Sequence, residues 1–221
     1  MEAKFPRTFI DLNRSHLELD PRLISGDFRF DKTARNMAGM GVIPRISGNG
    51  KEIYSKPIFA KDALKRLQSF YFPYHSYLYN LLVESKKRLG YAILFDCHSM
   101  PSKLNLEFSN SKYNNDPDII LGDLNGTSCS SFLINEVKAI FEKHNFFVTK
   151  NHPFSGGYIT KQYGNPSDAI HVIQIEINKK LYMNENSIKK NKNFENLRTK
   201  LTAVIEELSN LYPSRKKIAA E

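Results

Sequence analysis

Residues 171–177, His-Val-Ile-Gln-Ile-Glu-Ile, alternate without a break, and no other stretch constrains the fold as tightly. A period of two puts Ile173, Ile175 and Ile177 on one face of a strand and Val172, Gln174 and Glu176 on the other. The isoleucine face must lie against a core. The opposite face carries a carboxylate among apolar neighbours. A buried carboxylate is costly unless it is paired. Glu176 is therefore either ion-paired, to Lys179, Lys180 or an arginine, or placed in a cleft that suits it to general-base work. Spacing alone favours the ion pair.

Other segments supply the remaining elements. Residues 91–95, Tyr-Ala-Ile-Leu-Phe, read as a buried strand that presents Asp96, His98 and Ser99 at its tip. Residues 7–14 begin as a short apolar strand, and 146–150 form a further candidate. Residues 61–90 place Leu64, Leu67, Tyr71, Tyr74, Leu78, Leu81 and Leu82 at helical spacing, with Pro73 predicted to kink the helix or start a second one. Gly90 follows Lys and Arg, as at a helix C-terminus. Ser130 or Ser131 caps a helix bearing Phe132, Leu133, Val137, Ile140 and Phe141. A last helix over about 193–211 aligns Phe194, Leu197, Leu201, Val204, Leu208 and Leu211. Segments 20–57 and 100–128 read as loops, and 151–166 as a glycine-containing loop or hairpin. Strand and helix patterns alternate, so the class is α/β, a mixed sheet flanked by helices.

The length of 221 residues suits a single domain, 1–221, with 210–221 a frayed tail. No stretch approaches the roughly 18 consecutive apolar residues of a membrane span, and the N-terminus lacks the apolar region of a secretory signal. A cytoplasmic protein is expected, with no membrane partner. Cys97 and Cys129 give neither a disulfide framework nor paired zinc spacing, so both are expected reduced. The net charge of +9 comes from scattered lysines. No stripe alternates basic residues with stacking aromatics, so nucleic acid is not the expected partner.

Besides Glu176, two polar groups stand out for chemistry. His98, between Asp96 and Ser99, suits metal ligation or acid–base work, with Asp96 able to orient it if the strand continues. Asn13 with Arg14 offers an amide and a planar fork that match a carboxylate, or else a structural arginine that satisfies loop carbonyls. Gly156–Gly157 permits close backbone approach or positive φ, with a plain tight turn the simpler account. His75 lies on an otherwise apolar helix and reads as a core histidine.

The ordered motifs go further. "DLNR" (11–14), "GVIPR" (41–45) with "IY" (53–54), "YFPYHSYL" (71–78), "DCHSMPS" (96–102), "DIILGDLNGTSC" (118–129), "PFSGGYITKQYG" (153–164) and "IQIEINKKLYMNE" (173–185) follow one another over residues 7 to 185. In that order they resemble the N-formylglutamate amidohydrolase family, which is similar to zinc carboxypeptidases and aspartoacylases.

The resemblance implies a mixed α/β sheet of the zinc-carboxypeptidase, phosphorylase/hydrolase-like kind and a zinc-dependent amide hydrolase. N-formyl-L-glutamate would give formate and L-glutamate, as in one route of histidine breakdown. By motif match His98 is implied as a zinc ligand, Asn13 and Arg14 as the carboxylate grip, and Glu176 as general base and then general acid. Arg45 and Tyr158 are implied as substrate contacts. The implied cofactor is Zn2+ and the implied partner a small acidic N-acyl amino acid.

The family pattern also has an earlier segment with a "PHSG"-type motif that carries a further ligand and N-terminal strands. No counterpart stands before Asp11 here. The expectation is therefore a hydrolase impaired by loss of that metal-binding segment. The alternative is an inactive family remnant that binds an acidic metabolite or a partner chain supplying the missing N-terminal half.

Overall fold

A computed structural model describes residues 1–103 and 116–211. The expected frayed end, from 212 onward, and part of the expected 100–128 loop lie outside the described residues. The chain divides into two compact units. The first comprises residues 1–84 with 157–159, and the second comprises 85–156 with 160–221.

The N-terminal unit is built mostly from turns around one apolar cluster, with Ile10, Leu12, Leu23, Val42, Ile43, Leu67 and Tyr71 at its centre. Two short parallel strands, β1 (Ile24–Ser25) and β2 (Ile58–Phe59), pair across it. A one-turn helix, α1 (Ala34–Met37), is held by a capping box in which Thr33 and Asn36 satisfy each other's backbone donors. Helix α2 (Ala60–Arg66) continues through a π turn (Leu67–Tyr71) into α3 (Phe72–Leu89). The π turn, in which Phe72 N–H donates to the Leu67 carbonyl, accounts for Pro73. Proline has no N–H and its ring crowds the preceding turn, so the turn widens and the helical run continues through it.

The expected strand over 7–14 does not form. Ile10 and Leu12 are buried as an apolar run predicts. However, Asp11 Oδ1 accepts the Asn13 N–H at 2.9 Å, and this local turn takes the donor that a strand ladder would need.

The C-terminal unit holds a four-stranded mixed sheet in the order β3 (Ala92–Met100), β6 (Ile170–Asn178), β4 (Ile119–Gly122) and β5 (Val148–Lys150). Strands β3 and β6 are parallel, β4 runs antiparallel to β6, and β5 is parallel to β4. Strand β4 falls within the 100–128 segment expected as loop. Its four residues are too few to show a period, although Ile119, Ile120 and Leu121 are fully buried between two partner strands. Helices α4 (Ser131–Lys143), capped by the Ser130 hydroxyl, and α6 (Phe194–Ser209) cover the isoleucine face. Between these helices in sequence lies α5 (Tyr158–Tyr163), so segment 151–166 contains a helix and not a hairpin. A small hairpin, β7 (Met183–Asn184) with β8 (Lys189–Lys190), follows β6.

The core of the C-terminal unit contains a fully buried imidazole. His171 Nδ1 accepts the Ser130 N–H at 3.3 Å, so the ring proton sits on Nε2, which finds no hydrogen-bond partner among the described residues. Burial lowers the pKa of His171. In the N-terminal unit burial lowers that of His75 to about 4. Unfolded histidines titrate near about 6.5, so below that pH the unfolded chain binds more protons than the folded one. Stability should be full above about pH 6.5 and fall as the pH drops through it, for His75 down to about pH 4. Urea melts between pH 7.5 and 4.5 should show that slope, and His171→Leu should flatten part of it.

Candidate functional site

The parallel pairing of β3 with β6 sets the site in the C-terminal unit. In register, Asp96 lies opposite Gln174 and His98 opposite Glu176. Parallel partners point to the same side of a sheet, and neighbouring strands run about 4.8 Å apart. The four side chains therefore form one polar strip on the face away from α4 and α6. His98 Nε2 lies 2.9 Å from Asp96 Oδ2, with 14% and 12% of the side chains exposed. Gln174 Nε2 donates to Glu176 Oε1 at 2.8 Å.

This arrangement corrects one expectation. The strand does not stop at Phe95 with polar residues at its tip. It runs on to Met100, so Asp96 and His98 stand two residues apart on one face of a continuing strand. That continuation lets the carboxylate reach the imidazole.

Gly122 of β4 lies opposite Gln174. A Cβ there would meet the backbone of Ser155 and Gly156 at 2.7–2.9 Å, so only glycine lets that loop approach the strand.

The other expected residues gather in the N-terminal unit. Asp11 takes a two-pronged contact from Arg7, at 3.1 and 2.7 Å. Asn13 Oδ1 accepts the Ile159 N–H at 2.8 Å, and Gly157 packs so closely that a Cβ would fall 2.4–2.6 Å from the Asn13 amide. Arg14 donates from Nη1 to the Asn13 carbonyl at 2.8 Å and from Nε to the Met40 carbonyl at 3.2 Å. Burial lowers its pKa, and the Asp11 charge offsets part of that shift. Arg14 thus satisfies loop carbonyls, as one of its two sequence readings had it, through Nε and Nη1.

Arg45 donates from Nε to the fully buried Asp20 at 2.8 Å and from Nη1 to Glu52 at 3.1 Å. The hydrogen bond to Asp20 raises the pKa of Arg45. Tyr158 stands edge-on to His75, with ring centroids 5.7 Å apart.

Sequence reasoning missed what holds the "DLNR" turn. Tyr71 donates its hydroxyl proton to the Arg14 carbonyl at 2.8 Å, and His75 Nε2 lies 3.0 Å from the Leu12 carbonyl. These two rings stack at 4.2 Å between centroids. Their i, i+4 spacing was the available signal, because it places both on one helix face. The reading of His75 as a satisfied core histidine holds.

Among the described residues no three His, Cys, Asp or Glu side chains converge as a metal site. A catalytic zinc takes three protein ligands and a water. His98 and Asp96 are two donors already in contact with each other, so the described residues do not complete such a site.

A mixed sheet that carries an imidazole–carboxylate pair beside a second carboxylate defines an α/β protein with titratable side chains gathered on one face. The same fold occurs in the crystal structure of N-formylglutamate amidohydrolase from Ralstonia eutropha, with a TM-score of 0.86 and 27% identity over 93% of this chain and 74% of that one. A gene product of Agrobacterium tumefaciens shares the fold at a TM-score of 0.55 and 17% identity, over 93% of this chain and 70% of that one. The chain belongs to the N-formylglutamate amidohydrolase family, whose model matches residues 1–183.

The N-formylglutamate deformylases of Pseudomonas putida and Pseudomonas aeruginosa are 30% and 28% identical, over 83% and 84% of this chain. The chain spans only 63% and 64% of their lengths. No helix among the described residues is long and apolar enough to cross a membrane.

Asn13 serves the structure whatever else it does. Asn13→Ala removes the acceptor for a buried N–H, which costs about 1–3 kcal/mol. Thermal and urea melts should show that loss even where no ligand is present.

Proposed function

We propose that this chain acts as an amide hydrolase of the N-formyl-L-glutamate type, releasing formate and L-glutamate. The observation that carries the reading is the placement of Glu176 directly beside His98 on one face of the sheet. Both residues fall in family motifs, and the curated relatives are named for this deformylation.

In this reading Glu176 takes a proton from the attacking water and delivers it to the leaving amine. Asn13 and Arg14 hold the carboxylates of the small N-acyl amino acid. Arg14 donates from Nε and Nη1 to backbone carbonyls, and its Nη2 is assigned to the substrate carboxylate. Tyr158 is assigned as a further substrate contact. Arg45 enters only through the Nη1 that now meets the exposed Glu52.

Zinc belongs to the proposal by family resemblance, with His98 as its assigned ligand. The metal would supply an activated water at neutral pH. Because the described residues stop at two donors, the steps above run through the protein's own groups.

A second reading has its own support. Among the described residues β3 pairs on one side only. Beside it runs an apolar groove of about 240 Å3, lined by Phe95, Cys97, Ile175, Leu201, Ile205 and Leu208. An open edge strand is a template for further pairing. This favours a family remnant completed by a partner chain; a remnant that only binds an acidic metabolite would instead keep the Asn13–Arg14 grip without turnover.

Formate release separates the two. Glu176→Gln should lower turnover by about 10²–10⁴-fold, the usual range for a lost general base. Arg14→Ala should raise KM about tenfold and spare kcat, as loss of uniform binding does. Zinc content of the purified chain is measured alongside. Calorimetric binding of N-formyl-L-glutamate without any formate release would replace the first reading with the second.

A further inference from the structure

We propose that Gln174 is the positioning residue for Glu176, fixing its carboxylate through the bond from Nε2 to Oε1. The inference rests on Glu176 being the proton-transferring group. It starts from geometry. Residues i and i+2 on a strand lie roughly 6.6–6.8 Å apart along its axis and share a face. A glutamine at i can therefore reach a glutamate at i+2 only by lying along the strand, and Gln174 does so at 2.8 Å.

The orientation of the amide follows from its partner. An ionised carboxylate only accepts, so the NH2 end must face Glu176 and the carbonyl end must point away.

The surroundings keep Gln174 in that pose. It is 5% exposed. Asp96 lies across from it on β3, and Gly122 lies across on β4, where the Ser155–Gly156 backbone fills the space a side chain would take. The side chain thus has a strand neighbour on each flank.

The chemical identity of the donor matters as well. A lysine or arginine in this place would hold the carboxylate equally well, but its full positive charge would make Glu176 a weaker base. A neutral amide orients one oxygen with a smaller penalty.

The test uses the whole chain as wild type, Gln174→Met and Gln174→Glu, assayed with N-formyl-L-glutamate with and without added zinc. The Glu176 carboxyl carbon is followed at pH 8 by 13C NMR and assigned by its loss in Glu176→Gln. Methionine matches glutamine in length without the donor, and should lower kcat about 10–100-fold with KM within about twofold, the usual scale for a lost supporting hydrogen bond. The resonance should move or broaden.

Gln174→Glu keeps the length but replaces the neutral donor with a second carboxylate, whose charge repels that of Glu176. It should not restore kcat, and it carries the test if the methionine variant fails to fold. An unmoved resonance overturns the inference, and so does a moved resonance with unchanged kcat. A wild-type chain that releases no formate ends the hydrolase reading instead. In that case the resonance alone decides whether Gln174 orients Glu176, and an unmoved signal overturns that link.

Discussion

The parallel ladder between β3 and β6 is the constraint on which the C-terminal unit depends. It runs without a bulge from Ala92 opposite Ile170 to Met100 opposite Asn178. Because side chains alternate strictly, one register fixes both faces together. On one side it sets Phe95 beside Ile173 and the exposed Cys97 beside Ile175, on the face that α4 and α6 cover. On the other it sets Asp96 beside Gln174 and His98 beside Glu176. A slip of one residue would bury the carboxylates in the core and turn the isoleucines outward. The same apolar face that stabilises the unit therefore also specifies the polar strip.

The N-terminal unit solves a different problem. Its "DLNR" turn has no ladder to hold it, so its backbone groups are met one at a time. Tyr71 and His75 serve the carbonyls of Arg14 and Leu12, the Asp11 side chain serves the Asn13 N–H, and Arg14 serves the carbonyls of Asn13 and Met40. Asn13 in turn caps the N–H of Ile159. An exposed loop would leave these groups to water, whereas a buried one must pair them internally. Two motifs far apart in sequence, "DLNR" and "YFPYHSYL", are thus one structural device. The low pKa of His75 follows from it, because a ring buried against Tyr71 favours the neutral form that still donates to Leu12.

How much of this was legible depended on whether a signal was local. The alternation in 171–177 showed β6 and the facing of Val172 to Ile177 on it. The Ser130 cap and the leucine spacing gave α4 and α6. Strand β4 was hidden because four residues cannot display a period and the aspartates on either side look like loop. The turn at 11–14 was hidden because Ile10 and Leu12 are buried as a strand would bury them, while the Asp11 side chain diverts the backbone. The extent of β3 was hidden because Asp96 and His98 look like a strand's end, and only the partner strand shows that pairing continues beneath them. Site residues were found by type and motif. Gln174 was passed over because nothing in a lone glutamine distinguishes a donor aimed at a carboxylate from a solvated side chain.

The polar strip also has to be tolerated energetically. Desolvating polar groups costs about 1–3 kcal/mol for each one left unpaired. Pairing His98 with Asp96 and Gln174 with Glu176 removes much of that cost. What remains is offset from behind, since each fully buried aliphatic side chain contributes about 1.5–3 kcal/mol. Ile173, Leu133 and Val137, all fully buried under the same strands, are enough to carry it. A polar strip held at intermediate exposure can stay chemically available without unfolding its sheet, because the helices on the opposite face carry the stability.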